Sequence, residues 1–184
     1  IALPIFCMLV GTLAGTATAA IPATLNYKFN ANIVVCALML NYVMQYIGRW
    51  ILLFKINDPS LTYTASYPFP KEAVLSKIIP KTGVHSGLII VLIAFAAVWF
   101  LVKKTSLGYS ITQVGNNPNY ARACGMNVPK IAIISQLIGG ALCGLGGAVE
   151  VLGTFGQFKS DTLLGYGGYG LLISVVGKND PVKV

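Results

Sequence analysis

Long apolar runs separated by short polar stretches dominate the chain. Four of these runs cover residues 1–22, 31–54, 86–102 and 131–152. An α-helix needs about 20 apolar residues to cross the hydrocarbon core of a bilayer, so each run predicts a transmembrane helix. Arg49 interrupts the second run near its end. A fifth apolar stretch, 171–176, is too short to span. It sits between "GYGGYG" and "GKNDP", a pattern that predicts a half-helix or re-entrant element over 165–181. The predicted fold class is an all-α integral membrane protein, a polytopic helix bundle with one broken segment.

The polar stretches differ in character. Residues 23–30 predict a short turn. Residues 55–85 form a long loop rich in Pro, Tyr and Ser, with a short amphipathic helix expected near Lys71 to Ile79. Residues 103–130 hold Lys103, Lys104, Arg122 and Lys130 and no acidic residue. By helix parity, 23–30 and 103–130 share one side and 55–85 faces the other. Lysines abutting a membrane segment favour the cytoplasmic side, which makes 103–130 a cytoplasmic loop and 55–85 an external one. Trp50 and Trp99 fall near helix ends, where interfacial aromatics collect.

Composition agrees with this pattern. Hydrophobic residues make up 55% and charged residues 10%, against about 25% charged in soluble domains. The net charge of +8 in a soluble protein raises the question of nucleic acid. Here the basic residues flank apolar runs, so membrane lipids are the expected partner and nucleic acid is not. Cys7, Cys36, Cys124 and Cys143 have no CxxC spacing and read as small hydrophobes. His85 is the only histidine and is expected at a membrane interface. No metal site or cofactor is called for. Gly11 and Gly15 in the first run, and Gly140 and Gly144 in the fourth, repeat at four-residue spacing. Such small-residue faces predict close helix packing within the bundle. The chain starts at Ile1 and stops just after a glycine-rich apolar segment, so it reads as part of a longer protein.

One polar stretch has unusually complete helix punctuation. In "GNNPNYARACGMN" (115–127), Asn117 can cap and Pro118 suits the first helical position. Gly125 can stop the helix by adopting positive φ. The result is a helix of about two turns, roughly 11 Å long, too short to span. On these residues alone it is either a docking knob for another protein or an ordinary interfacial helix.

The ordered series "LMLNY", "TSLGYSITQVGNNPNYARACGMNV", "GGALCGLGGAVEVLG" and "GYGGYGLLISVVGKNDP" resembles the membrane permease subunit of ABC importers for nucleosides and simple sugars, a branch related to the branched-chain amino acid permeases. The resemblance covers residue 10 to the end. It implies that the motif after the Gly-Tyr pair is the coupling helix, carried here by Asn117, Pro118, Ala121, Arg122 and Gly125. It implies three protein partners: ATP-binding cassette ATPase subunits, a second permease subunit and an extracytoplasmic solute-binding protein. It also implies a complete permease with roughly twice as many helices. The chain departs from the family pattern at Ala31, Asn32 and Ala37, and again at Gly168 and Tyr169, which leaves the solute open.

"GKND" lacks the Ser/Thr after Lys and the upstream Gly of a nucleotide-binding loop. The chain is therefore expected to be a transport subunit, with ATP hydrolysis on another chain. Intramembrane polar residues are the default pathway candidates. Asn41 and Gln45 lie four apart on one helix face, with Tyr42 and Asn32 nearby. Amides and aromatic rings suit a neutral, hydroxyl-bearing ring through hydrogen bonds and stacking. They equally suit interhelical hydrogen bonds. Glu150, Tyr169 and Ser174 are further pathway candidates. A secondary transporter or channel without an ATPase partner is the alternative, although the chain has few intramembrane charges for ion coupling. A membrane enzyme finds no paired carboxylates, His cluster or GxSxG.

Overall fold

The computed structural model describes residues 2–57, 64–70, 72–76, 85–159 and 166–177. It is helical in order: α1 (Ala2–Phe29), α2 (Ile33–Ile51), α3 (Gly87–Lys104), α4 (Ser106–Asn116), α5 (Pro118–Ala123), α6 (Val128–Glu150) and α7 (Tyr166–Val176). Single π-helical turns extend α2 over Leu52–Ile56 and α6 over Val151–Phe155. With those extensions, α1, α2, α3 and α6 are each long and apolar enough to cross a membrane. Their large side chains are mostly exposed along the shafts, Leu13 at 68% and Ile93 at 64% among them, as lipid-facing surfaces are.

The first helix is longer than expected. Pro22 does not end it; α1 runs on to Phe29, so residues 23–30 are mostly helix and not a turn. Proline is tolerated inside transmembrane helices because neighbouring groups re-satisfy the freed backbone. The stop is Asn30, in the left-handed region at φ 51°. Its N–H donates to the Asn26 carbonyl at 2.9 Å, and Asn26 Nδ2 donates to the Ala31 carbonyl at 2.8 Å. The chain turns and restarts at once. Asn32 Oδ1 accepts from the N–H groups of Val34 and Val35 at 3.0 and 3.4 Å, capping α2. Asn32 is thus spent on the helix start.

α1 and α6 form the tightest helix pair, built on the glycines at four-residue spacing. A methyl at Gly11 would meet the Ala148 methyl at 2.9 Å and the Gly144 carbonyl oxygen at 3.2 Å. One at Gly15 would lie 2.8 Å from Gly144 Cα and overlap the Gly140 carbonyl. Backbone faces backbone here, which is what small residues permit. Near the far end of this pair, Met8, Leu75, Val149 and Leu152 form the buried cluster, with Cys7, Phe69, Ile90, Leu145 and Ala148 around it.

Two expectations for the connections are corrected. Within 103–130 the sequence predicted one short helix; the structure has two, because α4 fills Ser106–Asn116. Thr105 makes the corner. Its Oγ1 donates to the Leu101 carbonyl at 2.6 Å and accepts from the Gly108 N–H at 3.1 Å. Gly108 is buried against the carbonyls of Leu101 and Val102, where no side chain fits. The helix expected near Lys71 to Ile79 is not formed over its described part: Glu72–Ser76 is a turn and bend followed by irregular chain. The Ala73 N–H closes that turn on the Pro70 carbonyl at 2.8 Å. Lys71 and residues 77–79 lie outside the described residues. So do Gly165 and 178–181 of the expected broken segment; its middle is a continuous helix, α7.

Candidate functional site

The loop between α3 and α6 is the most fully punctuated part of the chain. Asn117 Oδ1 accepts from the N–H groups of Asn119 and Tyr120, both at 3.1 Å, and Pro118 occupies the first helical turn. The C-terminus closes with a reciprocal pair of backbone bonds. The Gly125 N–H donates to the Arg122 carbonyl and the Met126 N–H to the Ala121 carbonyl, each at 3.0 Å. That 6→1 and 5→2 pairing is the Schellman motif, and it needs a left-handed residue. Gly125 supplies it at φ 76°. Asn127 then caps α6, its Oδ1 accepting from the Lys130 N–H at 3.2 Å.

The helix so formed is held by one side only. Ala121 is fully buried, while Asn117, Pro118, Asn119, Tyr120, Arg122 and Cys124 are exposed. Arg122 forms no ion pair among the described residues. Tyr120 bonds to the Cys124 side chain one turn on, and that contact holds its phenol above the ordinary value of 10.0. The five residues singled out from the sequence are therefore brought together: Ala121 anchors the helix, Asn117, Pro118 and Gly125 fix its ends, and Arg122 projects. Sequence reasoning missed Thr105 and Gly108, which set where α4 leaves α3, and Met126, whose N–H completes the motif. The signal for the first was a Thr placed before an uninterrupted helical stretch.

The polar face of α2 is open. Asn41 and Tyr42 are exposed and Gln45 is half-buried. No described residue accepts from or donates to the side chains of Asn41 and Gln45, so within these residues they are not bundle-holding hydrogen bonds. Glu150 is half-buried and is the last residue of α6, which one π-helical turn continues through Phe155. Tyr169 and Ser174 stand on α7, Tyr169 exposed and Ser174 half-buried. The structure does not gather Asn41, Glu150 and Tyr169 into one pocket. A cavity of about 290 Å³ lies elsewhere, among Pro4, Met8, Glu72, Leu75, Ser86 and Ile90.

Comparison with known proteins decides the family. The whole chain, residues 1–184, matches the family described as branched-chain amino acid transport system / permease component. The chain belongs to this family. It is 32% identical over 186 residues to a glucose ABC transporter permease protein of Haloferax volcanii, covering 96% of this chain and 49% of that relative. It is 28% identical to a nucleoside ABC transporter permease protein of Lactococcus lactis, covering 96% of this chain and 51% of the relative. Against a guanosine ABC transporter permease protein of Bacillus subtilis it is 30% identical, covering 96% and 52%. The chain thus spans about half the length of the curated relatives it matches. No solved structure matches it. As a family member with four membrane-length helices, the chain is a multi-pass integral membrane protein of the transport-subunit class.

Proposed function

We propose that the chain forms part of the permease of an ABC importer that passes a nucleoside or simple sugar, driven by ATP hydrolysed on a separate ATPase chain. The observation that carries this reading is α5, a helix of six residues fixed at both ends and anchored only through Ala121. A helix so short does not hold itself in water. Its caps and anchor pre-form it, and its exposed face with Arg122 fits a groove on a partner. The solutes in the relatives' names, glucose, nucleosides and guanosine, support the solute class. The remaining proposed partners are a second permease subunit, an extracytoplasmic solute-binding protein and anionic lipids at Lys28, Lys103, Lys104 and Lys130. Vanadate-sensitive uptake of radiolabelled guanosine or glucose by the full permease with its ATPase tests the reading; vanadate-insensitive uptake returns the secondary transporter.

In this reading Asn41, Tyr42 and Gln45 line the solute path, with Glu150, Tyr169 and Ser174 as its further polar groups. Asn41→Leu removes an amide that bonds no described residue, so it costs little folded protein. Uptake should fall at least about tenfold, the loss of one solute hydrogen bond of ~1.5 kcal/mol, with the amount of folded permease unchanged. A parallel fall in folded protein would make Asn41 structural.

The proposed orientation puts α4 and α5 in the cytoplasm and residues 64–76 outside. Cysteines at Asn116 and Tyr67 test it, both positions being exposed; Ser66 is unsuitable at 1% exposure. In intact cells an impermeant maleimide should label Tyr67→Cys and spare Asn116→Cys. The reverse order would invert the topology.

A further inference from the structure

The face of α2 that carries the two amides continues beyond them. Asn41, Gln45, Gly48 and Leu52 follow one another at helical spacing, on one side of the helix. Their surroundings change along it. Asn41 is exposed, Gln45 and Gly48 are half-buried, and Leu52 is fully buried in the π-helical turn that extends α2. From Asn41 to Gly48 this face rises roughly 10 Å.

The group met at Gly48 comes from the chain that leaves α6. A Cβ on Gly48 would have one neighbour within 4 Å, the Phe158 Cζ at 3.7 Å. The tip of the Phe158 ring therefore abuts α2 one turn beyond Gln45. A branched or longer side chain at position 48 would take the space the ring occupies. Phe158 is 38% exposed, and no described aromatic or cationic side chain stacks on its ring.

The backbone that carries the ring is pinned. The π-helical turn after α6 ends at Phe155, and Gly156 turns the chain at φ 61°. The Gly156 carbonyl accepts from the Phe69 N–H at 2.9 Å. Ser66 then holds Phe158 twice: its N–H donates to the Phe158 carbonyl, and its Oγ accepts from the Phe158 N–H, both at 2.9 Å. Ser66 is 1% exposed and pairs with Asn57, the residue that follows the π turn of α2, while Ala65 pairs with Lys159. One short segment thus joins the ends of α2 and α6 and sets the Phe158 ring at the end of the amide face.

We propose that Phe158 is a binding residue for the solute, the platform on which the solute's ring stacks at the outer end of the α2 amide face. This rests on the reading of Asn41 and Gln45 as the solute path. An aromatic face takes the flat face of a nucleobase by offset stacking, or the C–H face of a pyranose by apolar contact. The amides of Gln45 and Asn41, one and two turns further along α2, then meet the hydroxyl groups as donors or acceptors. The pinned backbone holds the platform ready before the solute arrives, so little ordering is needed on binding.

The test is uptake of radiolabelled guanosine and, separately, of glucose at saturating concentration, in cells carrying the full importer and no other route for either solute. Phe158→Leu and Phe158→Met keep an apolar side chain against Gly48 but remove the ring. Each should lower uptake of the solute carried about fivefold, the loss of one ring contact, with folded permease and stimulated ATPase rate unchanged. Phe158→Trp should keep at least parental uptake, because it offers a larger face. A packing role predicts the opposite order, with leucine tolerated and the bulkier tryptophan harmful. Parental uptake in the leucine and methionine variants, or a fall in the tryptophan variant equal to theirs, overturns the proposal. If Asn41→Leu lowers uptake while all three Phe158 variants are parental, the solute path stands and the platform alone is wrong. If Asn41→Leu is parental as well, the α2 face is not the path and the platform falls with it. Vanadate-insensitive uptake by the parent, or uptake of neither solute, overturns the importer reading and the platform together.

Discussion

Gly140→Leu should remove nearly all folded permease from the membrane, while Gly139→Leu, one residue away on the same helix, should leave it at the parental level. The contrast follows from what each new side chain would meet. At Gly140 a Cβ would overlap the Ala19 methyl and lie 2.8 Å from the Gly15 carbonyl oxygen. At Gly139 there is nothing within 4 Å. The obstructing atom at Gly140 includes backbone, which has no rotamer to give, so α1 and α6 must separate along their length. Overpacking a well-filled interior costs about 1–3 kcal/mol even where side chains can move, and a domain has only about 5–15 kcal/mol in hand. Losing close backbone approach also removes the van der Waals contact that drives association in lipid, where apolar transfer gives nothing. Fluorescence-detected size exclusion of tagged variants measures the outcome. A monodisperse parental peak for Gly140→Leu would show that α1 and α6 are not packed through these glycines. Gly140→Ala should fall between, since it carries the obstructing methyl and nothing more.

The glycine pairing was legible in the sequence because its signal is periodic and both partners carry it. The four membrane-length helices were legible for the same kind of reason: lipid demands a run of about 20 apolar residues and little else produces one. Helix ends were read less well where the deciding group was distant. Pro22 carries a strong local stop signal that the membrane context overrides, and the real stop depends on Asn30 adopting φ 51°. α4 was missed because its start rests on Thr105 reaching back to Leu101 and forward to Gly108, a corner that no periodicity announces. The turn at Glu72–Ser76 is closed by the local bond from Ala73 to Pro70, but its exit is held by a bond from Leu75 to Leu152, far along the chain. α5 was legible almost residue by residue, since Asn117, Pro118 and Gly125 each act within a few positions. The α2 amides were found by type and spacing. What they face is a tertiary question, and the chain spans about half the length of the relatives it matches.

At the proposed coupling helix, Gly125→Val should abolish ATPase stimulation by the permease while leaving the membrane helices folded. Space is not the obstacle, because nothing lies within 4 Å of a Cβ there. The obstacle is φ 76°, which costs an ordinary L-residue roughly 1–2 kcal/mol and a β-branched one the upper part of that range. Relieving that strain means breaking the bonds from Gly125 to Arg122 and from Met126 to Ala121, and with them the direction in which α5 projects. Gly125→Asn should rescue, because asparagine visits the left-handed region routinely. Arg122→Glu tests the same surface by charge. The guanidinium offers five donors and bonds no acid within the described chain, so reversal costs the fold nothing. It should weaken capture of the ATPase chain by about 2 kcal/mol, roughly thirtyfold, if the arginine is enclosed at the contact. The assay is co-purification of the ATPase chain with the full permease, followed by stimulated ATPase rate in reconstituted vesicles. Parental capture and stimulation in both Gly125→Val and Arg122→Glu would leave α5 as an interfacial helix without a partner. Loss in Gly125→Val, rescue by Gly125→Asn and graded loss in Arg122→Glu together would assign the contact to the exposed face of α5 and not to its mere presence.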